Sequence, residues 1–191
     1  MQKKPKTYIS PSLLDSFCNG YDWVGMIKRE EKVISPRMQM GIDFEQAVIN
    51  GEFEELNEFV DGALYQQFCC GQVGKFFLLG FADLVKYDLI IDLKFKSGYE
   101  INDYFNSNQR LIYPALMGID KFAYVVGTGT NPHEPTGIYW EHYVRDDDLL
   151  LERLYALDRA IDNLGLRSIY EQNYGVERYE KEITEYENHI R

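Results

Sequence analysis

Along this chain the spacing of apolar residues changes several times, and the changes mark out its elements. "ISPSLLDSF" reads as a helix start, with Ser10 as N-cap, Pro11 at the first helical position and apolar Leu13, Leu14 and Phe17 behind them. "SPRMQMGIDFEQAVING" repeats that grammar, with Ser35 capping, Pro36 following and Gly51 as the stop. A third helix is expected through "FEELNEFVDGALYQQF". The pattern then becomes strand-like: Phe76 to Val85 and Asp88 to Lys96 read as two strands joined at Lys86-Tyr87. "DYFNSNQRLIYPALMGI" returns to helical spacing, with Phe105, Leu111, Ile112 and Leu116 on one stripe and Pro114 expected to bend or end it. "KFAYVVGT" and "GIYWEHYV" read as strands around the loop "GTNPHEPT". "DDDLLLERLYALDRAIDNL" is an amphipathic helix whose leading acids suit a positive helix N-terminus. From about Glu171 the chain is charged and reads as a helical extension.

This order predicts an α/β (α+β) core, helices flanking a central mixed sheet. No repeat, low-complexity run or Gly/Ser linker divides it, so residues 1–191 are expected to form a single domain. Hydrophobic content of 45% and charged content of 27% fit an ordinary globular chain. No apolar stretch approaches the roughly 20 residues that span a bilayer, and the basic start lacks the apolar segment of a signal peptide. Three cysteines, Cys18 and adjacent Cys69-Cys70, make neither a disulfide framework nor a metal knuckle, which points to a reducing cytoplasm. A net charge of −11 argues against nonspecific affinity for nucleic acid. The first fifty residues are nevertheless balanced, seven Lys/Arg against six Asp/Glu, so the excess acid lies downstream.

One residue does not fit its surroundings. From Phe76 to Val85 every residue is apolar or Gly except Asp83, and a carboxylate there is costly to bury unpaired. In the next strand, alternation puts Leu89, Ile91, Leu93 and Phe95 on a core face and Asp88, Ile90, Asp92, Lys94 and Lys96 on the other. Alone, Asp92 and Lys94 would read as the solvated face of a hairpin. An even-length turn brings Asp83 to their side, and a turn at Lys86-Tyr87 would set it opposite Ile90, diagonal to Asp92. Two carboxylates that close need charge relief, which Lys94 gives in part and a hard cation such as Mg²⁺ gives more fully.

At these residues the sequence resembles the PD-(D/E)XK nuclease superfamily, in the branch of RecB-type domains and lambda-type phage exonucleases. "GFAD" and "IIDLK" match its G-x-x-D and D-x-K elements at Gly80, Asp83, Asp92 and Lys94. "MGIDFEQAV" is similar to its G-x-x-x-[H/E] helix with Gly41 and Glu45, and "QRLIY" to its Q-x-x-x-Y helix with Gln109 and Tyr113. "ISPSLLDSF" resembles the S-x-S-x-[LI] opening of RecB-type domains, so the match spans roughly residues 9 to 125. The resemblance implies a restriction-endonuclease-like core. It also implies a Mg²⁺- (or Mn²⁺-) dependent deoxyribonuclease, an exonuclease of phage or bacterial DNA recombination or repair that hydrolyses phosphodiester bonds with a metal-activated water. Asp83, Asp92 and the Leu93 backbone carbonyl would ligate the metal, joined by Glu45. Lys94 would orient the water or steady the transition state, Gln109 would position water or DNA backbone, and Tyr113 would pack or touch DNA.

Phosphate contacts are expected from a local cluster including Lys28, Arg29, Lys32, Arg37, Lys94, Lys96 and Arg110. Expected partners are DNA, a recombination or helicase protein and, by analogy with ring-forming lambda-type exonucleases, further copies of this chain. Some relatives carry an iron–sulfur cluster on one early and three late cysteines; no cysteine follows Cys70, so none is expected here. Two other classes remain open: a catalytically silent acidic protein that uses this fold to mimic DNA or dock a partner, and an RNA-processing nuclease using the same residues. His133, in a Pro-rich loop, and His142, between aromatics, lack partners at ligand spacing and read as surface or packing. Asp146 to Asp148 read as helix capping, and Gly127 and Gly129 as a turn.

Overall fold

The computed structural model describes residues 7–29 and 35–176. Lys32 and most of the expected C-terminal extension lie outside these residues. Strand β1 (Tyr8–Ile9) leads into helix α1 (Pro11–Cys18), followed by α2 (Trp23–Lys28), α3 (Pro36–Ile49), a 3₁₀ turn (Glu54–Leu56) and the short α4 (Asn57–Val60). Strands β2 (Leu64–Val73), β3 (Phe76–Lys86) and β4 (Leu89–Lys96) come next, then α5 (Gln109–Met117), β5 (Lys121–Thr128), β6 (Gly137–Val144), α6 (Asp147–Asn163) and α7 (Arg167–Asn173). The expected helix starts are present: Ser10 Oγ accepts from Leu13 N, Ser35 Oγ from Met38 N and Asp146 Oδ1 from Leu149 N.

The six strands form one mixed sheet in the order β1-β3-β4-β5-β6, with β2 on the other edge of β3. β1 and β3 are parallel, as are β4 and β5, and the remaining pairs are antiparallel. Both faces are covered. Leu13, Leu14, Leu111, Ile112, Leu150 and Leu154 from α1, α5 and α6 pack on one face with Ile90, Phe122 and Val126. Phe44, Val48 and Val60 from α3 and α4 close the other with Ile91, Leu93, Phe95 and Val125. The face of β4 that carries Ile90 and Asp92 is therefore a second core face, not the solvated side that Asp92 and Lys94 alone would suggest. This is the α/β architecture that the order of elements implied.

Four local expectations change. The helix expected through Phe53 to Phe68 is only the 3₁₀ turn and α4; Gly62 turns the chain at φ 74°, and Leu64–Val73 then finds ladder partners along β3. The β3–β4 turn falls one position later, at Tyr87-Asp88, because Lys86 pairs with Leu89. Helix α5 begins only at Gln109, leaving Phe105 off the apolar stripe and 52% exposed. It also runs through Pro114 to Met117, ending where Gly118 adopts φ 66°.

Gly127 is not in a turn but inside β5, and the reason is packing: a Cβ built there would lie 2.5 Å from the Phe44 ring. That contact seats α3 on the sheet. Gly127→Ala is expected to destabilise the protein by about 1–3 kcal/mol through overpacking, read as a lower urea midpoint at unchanged slope.

Candidate active site

The antiparallel pairing of β3 and β4 ends after Leu84↔Ile91, whereas each strand continues its ladder with its outer neighbour, β2 or β5. On its β4 side, β3 next pairs only with β1, at Phe77 and Leu78. The sheet is thus open between β3 and β4 beyond their turn end. Extending the register would set Asp83 opposite Asp92, directly rather than diagonally as a turn at Lys86-Tyr87 implied. Inside the opening the Asp83 side chain replaces the missing strand: its Oδ2 accepts from Leu93 N at 2.8 Å.

Asp92 is fully buried. Its Oδ1 accepts from Gln109 Nε2 at 2.6 Å, and its Oδ2 forms an ion pair with Lys94 Nζ but has no well-directed hydrogen-bond partner. The Lys94 ammonium also lies 5.8 Å from the centre of the Tyr124 ring. Glu45 follows Phe44 on α3, and its Oε1 accepts from the Gln66 amide of β2. The structure therefore gathers Asp83, Asp92, Lys94 and Gln109, with Glu45 at the margin and in electrostatic contact with both aspartates.

Burial is the main cause of the electrostatics. It pushes Asp83 up to about 6 and Asp92 up to about 7; Lys94 opposes both shifts, while Glu45 reinforces the first and Asp83 the second. Glu45 is raised by burial, with the Gln66 amide pulling the other way. For Lys94, burial alone would favour the neutral amine, but Asp92 and Asp83 outweigh it and hold the group cationic.

The position of Gln109 depends on a residue that sequence spacing did not single out. Asp15 of α1 accepts from the Asn108 amide N–H, from Asn108 Nδ2 at 2.8 Å and from Ser107 Oγ at 3.1 Å. Arg153 of α6 donates to Asn108 Oδ1 at 2.8 Å and to Asn106 O at 3.0 Å. This network fixes the first turn of α5, one residue from Gln109. Its signal in the sequence was a carboxylate on the helix of the S-x-S-x-[LI] opening. Between α1, β3 and α5 lies a cleft of about 340 Å³ lined by Ser10, Ser12, Asp15, Gly80, Gln109 and Tyr113. Gly80 is required there, since a Cβ would meet Tyr113 Cε1 at 2.7 Å.

The outer positions divide. Tyr113 is buried and packs on β3. Arg110, expected to meet substrate, is instead buried, donating to Phe105 O at 2.8 Å with its guanidinium over the Phe105 and Tyr143 rings. Arg29 is turned to Tyr8 and Tyr174, engaging them at 2.7 Å and 5.3 Å. Lys96 remains near the site, bonded to Asp103 at 2.6 Å and lying over Tyr104, whose hydroxyl also feels Lys94 and Arg37.

The oxygen-only donor set of Asp83, Asp92 and Glu45, with Asp92 Oδ2 lacking a directed hydrogen bond beside its ion pair to Lys94, fits a hard divalent cation. Among the described residues, no three His, Cys, Asp or Glu side chains form a ready-made cage. The fit is therefore to an ion that takes one or two carboxylates and completes its shell with water, which is the habit of Mg²⁺.

The sequence matches no protein-family model and no curated protein. Among solved structures, it resembles a Eubacterium rectale protein provisionally named an exonuclease, with a TM-score of 0.56 at 14% identity, covering 87% of this chain and 82% of that one. It also resembles LHK-Exo, an alkaline exonuclease from Laribacter hongkongensis, with a TM-score of 0.52 at 14% identity, covering 84% of this chain and 93% of that one. The structure of LHK-Exo in complex with dAMP matches equally well. The chain has the fold of these solved structures.

Carboxylates that are harder to ionise in the fold than in the unfolded chain make the folded state bind more protons, so stability falls as pH rises through their folded values. The depressed carboxylates Asp103 and Asp147 stay ionised above pH 5 and do not alter this sign. In EDTA the melting temperature is expected to rise as pH is lowered from about 7.5 to about 5.5. Thermal shift measurements across that window check it, and a falling melting temperature would refute it.

Proposed function

We propose that this protein is a Mg²⁺-dependent deoxyribonuclease, an exonuclease of DNA recombination or repair. The reading rests on one observation above the rest: a fully buried Asp92 held between Lys94 and Gln109, beside Asp83, where the sheet opens. A binding-only descendant of the fold has no need of so costly an arrangement. The complex of LHK-Exo with dAMP supports a deoxynucleotide as the ligand of a site on this fold.

In this mechanism Asp83, Asp92 and the Leu93 carbonyl would hold the cation, joined by Glu45 from α3. The chemistry that Mg²⁺ would supply there is a more acidic bound water and positive charge to offset that of the scissile phosphate. Lys94, kept cationic by the two aspartates, would steady negative charge growing on the phosphate oxygens. Gln109 donates to the Asp92 carboxylate and so holds its orientation; its further role in this reading is to direct the attacking water. Lys96 and Arg37, around Tyr104, meet the incoming backbone phosphates.

The test is degradation of linear, end-labelled single- and double-stranded DNA, and of RNA, with Mg²⁺ or Mn²⁺. Cleavage of DNA is expected, lost in EDTA and reduced by on the order of 10²–10³-fold in Asp92→Asn. Failure of a folded protein to cleave DNA or bind the metal would leave the docking-protein reading, whereas cleavage of RNA alone would reassign the substrate.

A further inference from the structure

Gln66 stands at a break in the β2–β3 ladder. Tyr65 pairs with Leu84 and Gln67 with Ala82, but Gln66 and Asp83, facing each other between them, do not pair. Gln66 instead adopts φ 45°, a left-handed backbone that a residue with a Cβ occupies at a cost. This happens at the third residue of β2, inside the strand, where no turn asks for it. The same distortion lets the side-chain amide of Gln66 donate to Glu45 Oε1 on α3, the hydrogen bond that Glu45 makes among the described residues. Strain, ladder gap and contact coincide at the position opposite Asp83.

We propose that Gln66 is a positioning residue, held left-handed on β2 so that its amide fixes the Glu45 carboxylate beside Asp83 and Asp92. The inference rests on the reading of Glu45 as a metal ligand. A carboxylate on a helix rim is otherwise free to rotate, and tying one oxygen leaves the other for a cation. Outer partners of this kind orient metal ligands and are worth about 10–100-fold in affinity. The chemistry of the side chain suits that role. A lysine here would compete with the metal for Glu45, and a glutamate would repel it, whereas an amide donates without charge. Glycine would suit the backbone better, so the presence of glutamine needs a reason in its side chain.

That conflict supplies the test. Gln66→Gly removes the strain and the amide together, and Gln66→Ala removes the amide alone. Mn²⁺ affinity is read from the electron paramagnetic resonance of free Mn²⁺ in titrations without DNA, and melting temperature is followed in EDTA. Gln66→Gly is expected to melt no lower than the parent yet bind Mn²⁺ about 10-fold more weakly, and Gln66→Ala to melt lower with the same loss of affinity. In a Glu45→Ala background, which itself weakens Mn²⁺ binding, Gln66→Gly should cause no further loss. Unchanged affinity in Gln66→Gly while Glu45→Ala weakens binding would overturn the role of Gln66 and leave the nuclease reading standing. Unchanged affinity in Glu45→Ala would remove Glu45 from the ligands and the proposal with it.

Discussion

Asp92 is a carboxylate with no access to solvent, and the groups around it answer to that constraint. An ion there needs an opposite charge and hydrogen bonds, because the low-dielectric interior returns little of its lost hydration. Lys94, two residues along the same strand, supplies the charge; Gln109, from a helix on the covering layer, supplies the hydrogen bond. Space for them exists because β3 and β4 part after three registered pairs, and Asp83 occupies the opening by bonding the Leu93 amide. The protein thus holds an electrostatically costly cluster at a fault in its sheet, where backbone ladders cannot fill the volume.

Three separate packing devices aim the remaining groups at that fault. The Phe44 ring lies on Gly127, so α3 meets the sheet with Glu45 at the site's margin. Asp15 and Arg153 grip Asn108 from two other helices, so α5 starts at Gln109. Gln66 bends out of the β2 ladder to meet Glu45. Each of them limits where Glu45 or Gln109 can point.

The charge distribution follows the same division. The chain carries a net charge of −11, and the lysines beside the buried carboxylates are themselves paired, Lys94 with Asp92 and Lys96 with Asp103. Arg29 and Arg110, basic in the sequence and nearby in number, are turned onto aromatic rings within the fold. A count of cations along a segment could not separate these groups. Their orientation is set by the layer each one faces.

The elements with strong local causes were legible in the sequence. Ser10-Pro11 and Ser35-Pro36 start helices through side-chain caps that need no distant partner, and the strand of Lys121 to Thr128 has the bounds its pattern implied. Asp83 stood out because an acid within an apolar run has few structural explanations, and alternation alone set Asp92 and Lys94 on one face of β4. Tertiary structure decided what depends on neighbours: that the polar face of β4 is buried, that Leu64–Val73 is a strand because β3 offers it a ladder, and that Arg110 points inward. Gln66 and Asp15 belong to the same class. Their importance lies in contacts across 21 and 93 positions of chain, and residue spacing carries no trace of an interaction that only folding brings within reach.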